Sequence, residues 1–364
     1  MKALEIKYLE SWYSKNFEKK IGGRRILVSD IEPLILKLPT IFKKEIIGIS
    51  EKGLPIYKIS IGSGPKKVLA WSQMHGNEST GTKALFDLFN FFQSEETVLR
   101  PIISKILTNC TMQFITILNP DGAVNFTREN ANGIDLNRDA VNRSAVESTI
   151  LRNELDLFKP NFCFNLHDQR NIFNVQGMSN PATISFLAPS EDAERTVTKG
   201  RKETMSVIVA MNKLLQQLIP NHIGRYTDEF YPSATGDNFQ KLGYNTILIE
   251  AGHYKNDYDR DVVRKFNCFA LIKGLYFIAT TNSFSNYKPY FDIPNNDKKF
   301  LDIIYKNVID ENKTTVDVGI QIKYELKNNK LTRVKLIENV GDLSNFHSYN
   351  CINAEYLNIN ELKL

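Results

Sequence analysis

Three short segments of this chain end in side chains that can serve hydrolysis at a metal ion. In Trp71-Ser72-Gln73-Met74-His75-Gly76-Asn77-Glu78-Ser79-Thr80-Gly81, an imidazole and a carboxylate stand three residues apart just after an apolar run. Placed at one strand tip, both can reach a single ion. Taken alone the pair is weak, since a polar loop leading into a helix has the same look. His167 follows the apolar run Phe162-Cys163-Phe164-Asn165-Leu166, and Glu250 follows Thr246-Ile247-Leu248-Ile249.

Strand ends of open α/β sheets are where sites assemble, so His167 is the natural third ligand beside His75 and Glu78. Such a His, Glu, His set suits one zinc ion per chain and leaves a coordination position for water. A carboxylate at the end of a buried strand is costly unless it is paired or used. Glu250 is therefore read as a general base that takes a proton from water and passes it to a leaving nitrogen. A salt-bridged strand-end glutamate is the plain alternative. The loop Arg128-Glu129-Asn130-Ala131-Asn132-Gly133-Ile134-Asp135-Leu136-Asn137-Arg138 adds two guanidiniums and an amide. These are suitable donors for a planar carboxylate and a developing oxyanion.

The elements that must position these groups follow from patterning. Helical spacing is expected over about Ala3 to Phe17, Asp30 to Leu38, Thr82 to Phe92, Ser144 to Phe158, Asp192 to Leu218 and Arg260 to Thr280. Phe42 to Ile61 reads as a hairpin, Lys67 to Trp71 and Met112 to Leu118 as strands, and Asn119-Pro120-Asp121-Gly122 as a turn. This alternation predicts an α/β sheet with helices on both sides. From Phe284 the composition shifts to Asn, Lys, Asp and Pro, and alternating runs such as Val316 to Ile322 and Leu331 to Leu336 predict a small β-rich C-terminal appendage. The expected division is 1–285 for a catalytic domain and 286–364 for the appendage.

The whole chain sets bounds on function. At 364 residues with 42% hydrophobic and 24% charged residues, it has the balance of a globular protein with a full core. The formal charge of +5 is spread along the chain, which does not favour nucleic acid as a partner. Lys199-Gly200-Arg201-Lys202 reads as a solvated helix face. No apolar run approaches a membrane span, the first ten residues lack a signal-peptide core, and the four cysteines are isolated. A cytoplasmic location with reduced thiols, and no membrane partner, is the expectation.

In combination, His75-Gly76-Asn77-Glu78, Asn119-Pro120-Asp121-Gly122, Arg128, Gly133-Ile134-Asp135-Leu136-Asn137-Arg138, His167 and Glu250 occur in the order found in M14 (carboxypeptidase A-like) zinc carboxypeptidases. The resemblance runs from about Lys43 to Ala279. It implies a mixed, mostly parallel sheet flanked by helices, with zinc on His75, Glu78 and His167 and with Asp135 bonded to a ligand histidine. It also implies Arg128 on the scissile carbonyl, Asn137 and Arg138 on the substrate α-carboxylate, and Glu250 as base and proton shuttle. Of Tyr226 and Tyr231, Tyr231 better resembles the family's loop tyrosine, and Asp237 stands where the side-chain pocket is lined. A turn-capping role for Asp237 is an equal alternative.

The implied activity is hydrolysis of the C-terminal amide bond of short peptides by Glu-assisted attack of metal-bound water. Two departures matter. Asn77 stands where many family members have Arg, which implies a lost or changed substrate contact upstream of the cleaved bond. The His-Gly-Asn-Glu wording, the Asp-Leu-Asn-Arg run and a β-rich tail also resemble the aspartoacylase and succinylglutamate desuccinylase group, although the long segment before His75 and the intact Asn119-Pro120-Asp121-Gly122 turn favour the carboxypeptidase side. N-acyl amino acid deacylation is therefore the alternative, and a peptide or metabolite binder without activity is the reading from another class. His253 is read as a structural hydrogen-bonding residue or pocket lining, and His222 and His347 as surface residues.

Overall fold

Along Lys66–Ser72 the side chains divide between two cores: Val68 and Ala70 enter one, Leu69 and Trp71 the other. A strand buried on both faces has to read as a continuous apolar run, which is what the sequence shows here. The computed structural model describes residues 3–355 and 357–362, with side chains from residue 6 onward. Its helices are α1 (Ala3–Asn16), α2 (Val28–Lys37), α3 (Thr80–Phe92), α4 (Arg100–Asn109), α5 (Pro120–Asn125), α6 (Val146–Phe158), α7 (Lys199–Leu215), α8 (Thr235–Lys241) and α9 (Asp261–Thr280). The strands are β1 (Lys43–Ile49), β2 (Pro55–Ile61), β3 (Lys66–Ser72), β4 (Cys110–Ile115), β5 (Phe162–Asp168), β6 (Asn174–Val175) and β7 (Ile184–Leu187). They continue as β8 (Ile223–Arg225), β9 (Asn245–Ala251), β10 (Asn296–Asp297), β11 (Phe300–Ile309), β12 (Thr315–Lys327), β13 (Lys330–Gly341) and β14 (His347–Asn353).

Eight strands form the main sheet in the order β1-β2-β4-β3-β5-β9-β7-β8. The central strands β4, β3, β5 and β9 are parallel, whereas β1, β2 and the β7–β9 pairing are antiparallel. Helices cover both faces. Leu88 and Phe89 of α3, Met205 and Ile208 of α7, and Phe269 and Leu275 of α9 fill the larger core. Leu151 and Leu155 of α6 and Phe239 of α8 fill the other. This is the mixed, mostly parallel architecture expected from the sequence.

A separate four-stranded sheet, β13-β12-β11-β14, forms the C-terminal part. It rests on loops at the carboxyl end of the main sheet. Tyr324 Oη donates to Asp259 Oδ1 at 2.6 Å, Arg333 Nη2 to Asp259 Oδ2 at 2.9 Å, and Tyr258 Oη to Asp302 Oδ1 at 2.8 Å. Arg170 also pairs with Glu338. Ahead of it, β10 pairs with β6, and Tyr290 and Ile293 are buried in the larger core.

Three local expectations change. The Asn119-Pro-Asp-Gly segment opens the short helix α5: Asn119 Oδ1 accepts from the Gly122 amide at 2.8 Å, and Pro120 takes the first helical position. The long helix starts at Lys199, where the Thr198 side chain caps it by accepting from Arg201 N. Arg201 is not on a solvated face. It is buried, donating to the carbonyls of Ala188 and Arg195 and pairing with Asp228 at 2.9 Å. Among the described residues, no helix is long and apolar enough to cross a membrane.

Candidate active site

The strand β3 delivers His75 through a tight turn. Gln73 adopts φ 45°, and its side-chain amide donates to the carbonyls of Ile26 and Gly76, holding the turn against the N-terminal segment. Gly76 touches the start of α5 so closely that a Cβ on it would stand 1.9 Å from the Gly122 carbonyl carbon. Only glycine permits that backbone approach. The Asn77 amide donates to the Thr127 carbonyl, and α3 begins two residues after Glu78.

The neighbouring strands supply the rest by register. In the parallel β5–β9 pair His167 lies opposite Glu250, and β5 pairs with β3 through Leu166 and Ser72. His75 Nδ1 and His167 Nδ1 are 3.2 Å apart. Glu78 spans them, with Oε1 2.8 Å from the first nitrogen and Oε2 2.9 Å from the second. Glu78 Oε2 also accepts from the Asp168 amide at 3.0 Å. Burial pushes the Glu78 carboxyl up, but the two histidines together outweigh it and hold it well below the usual range. It is therefore an anion.

These donors can hold a metal ion. Two nitrogens bound to one tetrahedral zinc at about 2.0–2.1 Å would lie about 3.3 Å apart, close to the spacing of the two Nδ1 atoms. The second nitrogen of His75 is also engaged, at 3.1 Å from Asp135 Oδ1, an arrangement that fixes ring orientation and tautomer in metal sites. His167 Nε2 is buried without a hydrogen-bond partner. The donor set, its spacing and its supporting carboxylate fit zinc.

Arg128 is fixed by its Nε bond to Asp135 Oδ2 at 2.9 Å, which leaves Nη1 3.2 Å from His75 Nδ1 and 3.7 Å from Glu78 Oε1. The guanidinium thus borders the donor cluster, where it can face an oxyanion. Burial, then repulsion from Glu78 and Asp168, raises the Glu250 carboxyl well above its ordinary value. A carboxyl raised in this way accepts a proton more readily than an ordinary glutamate, as a general base must.

A cavity of about 320 Å³ opens from this cluster and is lined by Asn137, Arg138, Tyr231 and Asp237, among others. Asn137 uses its side-chain oxygen to accept from the Thr235 amide at 3.0 Å. Arg138 is exposed, donates to the Asn137 carbonyl at 2.7 Å and lies 5.8 Å from the Tyr231 ring centre. Tyr231 stands at the rim, 44% exposed, with its hydroxyl on Glu229. Tyr226 lies deeper in the same cavity, and burial, then Glu250 and Glu78, raise its pKa. The structure thus places both tyrosines at the site, with Tyr226 nearer the carboxylates.

Asp237 is buried, and its Oδ1 accepts from the Tyr231 amide at 3.2 Å. Burial pushes its carboxyl up to about 6 from an ordinary 3.8. Because the folded state holds this proton more tightly, stability falls as pH rises from about 4 to about 6, and the full penalty stands above that. Asp237→Asn is therefore expected to stabilise the fold by about 2–3 kcal/mol at pH 7.5. Denaturant titrations at pH 7.5 and 4.5 check this, and the gain should shrink to about 1 kcal/mol at the lower pH.

Three charged residues outside the expected set also gather here. Asp168, directly after His167, is buried and forms 3.2 Å ion pairs with both Arg24 and Arg260. Its position next to His167 at a strand end was the available clue, whereas Arg24 and Arg260 come from distant segments. His253 is buried with neither ring nitrogen hydrogen-bonded, and Asp302 is 3.8 Å from its Nε2, so the expected structural hydrogen bond is absent. His222 is partly buried, 3.1 Å from Thr183 Oγ1.

Comparison with known proteins bears on the family and the fold. The zinc carboxypeptidase family model (peptidase family M14) matches residues 27–206. Carboxypeptidase SOL1 of Arabidopsis thaliana is 33% identical over 99 residues, which is 26% of this chain and 20% of that protein. The chain thus spans about a fifth of that relative's length. A metallo-carboxypeptidase from Burkholderia cenocepacia aligns with TM-score 0.54 at 17% identity, over 69% of this chain and 67% of its own. Carboxypeptidase A from Helicoverpa armigera aligns with TM-score 0.55 at 14% identity, over 77% and 82%. These structural likenesses show the fold, which is that of the metallo-carboxypeptidases. Residues 27–206 thus match the zinc carboxypeptidase family.

Proposed function

We propose that this protein is a zinc carboxypeptidase that removes the C-terminal residue of short peptides. The observation that carries the reading is the convergence of His75, Glu78 and His167 on one point, with Glu250 in register beside His167. One zinc ion, held by those three residues, would supply a Lewis acid and lower the pKa of a water it holds. Arg138 and the Asn137 amide bind the substrate α-carboxylate. Arg128 donates to the scissile carbonyl oxygen as negative charge develops on it. Glu250 takes the proton of the attacking water and returns it to the leaving nitrogen. Asp135 orients both His75 and Arg128, and Asp237, with Tyr231 at the rim, faces the side chain of the released residue.

We also propose that 1–285 supplies the catalytic groups and 286–364 closes the acyl side, with Tyr290 and Ile293 stitching the two together. A cytoplasmic location is supported by the four free thiols. N-acyl amino acid deacylation is kept as a second reading because β12 walls the acyl side with Gln321 to Tyr324. Peptides with free C-termini and N-acyl amino acids should be compared with and without a chelator. Chelator-sensitive release of C-terminal residues is expected, and no such release from any peptide sinks the carboxypeptidase reading.

A further inference from the structure

A second cavity, of about 420 Å³, opens on the other side of Glu78 and Arg128, away from Asn137 and Arg138. If the substrate carboxyl end lies with Arg138, this cavity receives the acyl side of the scissile bond. It is built from three distant parts of the chain: Arg24 from the N-terminal segment, Asp168 at the end of β5 with Gln169 to Asn171 after it and Arg260 just before α9, and Gln321 to Tyr324 from β12. Besides Glu78 and Arg128, which border the donor cluster, its charges come in two sets, and in each set two cations share one carboxylate. Arg24 and Arg260 share Asp168, and Arg170 and Lys323 share Glu338. Each set is left with one positive charge in excess.

The inner set is shielded from water. The Arg24 side chain is 12% exposed and that of Arg260 is 4% exposed. Arg260 is already committed to the carbonyls of Ala251 and Gln169. Arg24 is not: its Nε and Nη1 are buried without a hydrogen-bond partner, Nη1 meeting Asp168 Oδ2 at 3.2 Å outside hydrogen-bonding geometry. Buried guanidinium N–H groups left unmatched are costly, and a second carboxylate would satisfy them and the excess charge together. Burial, then the neighbouring Arg24, pulls the Arg260 pKa down to about 10, which reflects the same crowding of positive charge.

We propose that this cavity is an anion subsite, so that the preferred substrate carries a carboxylate on the acyl side of the bond that is cut. The carboxylate can belong to the side chain of the penultimate residue or to a dicarboxylic N-acyl group. The inference rests on the carboxypeptidase reading for its direction only. Arg24 does what the Asn77 amide cannot do, supplying positive charge upstream of the scissile bond from a different segment.

The test uses zinc-loaded full-length protein carrying Glu250→Gln, so that binding is measured without turnover. Ala-Glu-Ala is compared with its isostere Ala-Gln-Ala, and succinyl-Ala with succinamoyl-Ala. At low salt at least one carboxylate partner is expected to bind ten-fold or more tightly than its amide. The gap should shrink to three-fold or less after Arg24→Gln or Lys323→Gln, and also in high salt. A gap in the first pair alone assigns the carboxylate to a side chain, and in the second alone to the acyl group. Equal affinities within both pairs, or a gap that survives both substitutions, overturn the subsite. If the protein with Glu250 restored cleaves neither peptide, the carboxypeptidase reading falls while the binding gap remains measurable.

Discussion

Replacing Glu250 by Gln is expected to lower kcat for peptide hydrolysis by about a thousand-fold, in the range that positioned acid–base groups contribute. The substitution keeps size and shape at the end of β9, so KM and zinc content should stay within about three-fold of the parent protein. Glu250 lies opposite His167 in the sheet register, and burial with Glu78 and Asp168 nearby already holds its proton tightly. A neutral amide there removes an unfavourable charge as well as the base, and the fold should become no less stable. Activity within ten-fold of the parent, measured on the best peptide substrate, would remove Glu250 from the chemistry.

His167→Ala should abolish stoichiometric zinc binding, and with it the hydrolysis. In the parent protein, zinc at about a thousand times its dissociation constant is expected to stabilise the fold by about 4 kcal/mol. That should appear as a zinc-dependent rise in Tm that the variant lacks. Asp135→Asn separates ligand from support: it keeps all three donors but loses the anion that orients His75 and Arg128. Its zinc affinity should drop about 10–100-fold without vanishing. Metal analysis after dialysis and thermal scans with and without zinc read both outcomes. An unchanged zinc content in His167→Ala would show that the ion sits elsewhere.

The main features of the site were readable because they depend on strand ends. A buried parallel strand is an apolar run, and the first polar residue after it marks the tip; His167 and Glu250 are both of this kind, and His75 follows β3 by a short turn. The sheet and its helices followed from the same alternation. What local patterning could not show was partnership across the fold. Arg24 is an unremarked arginine after two glycines, and only the packed chain sets it against Asp168. Arg201 belongs to a locally basic stretch, yet the carbonyls of Ala188 and Arg195 draw it inside. The short strands β7 and β8 are three or four residues long, too brief for alternation to announce them. The choice between Tyr226 and Tyr231 turned on family likeness, and depth in the cavity is not written in a loop sequence.

The backbone contact between Gly76 and Gly122 changes what a survey of mutational tolerance would report. Neither residue has a side chain to offer a substrate, yet a methyl group at position 76 would collide with the backbone at position 122 and displace His75 from Glu78 and His167. A Cβ on Gly122 would in turn stand 2.5 Å from Asn119 Nδ2 and 2.7 Å from the Glu129 carbonyl oxygen, so a saturation library scored for activity should rank both glycines beside the histidines. Such a map would mark out the active centre by two residues that never meet the substrate, because intolerance there measures how closely two loops must touch.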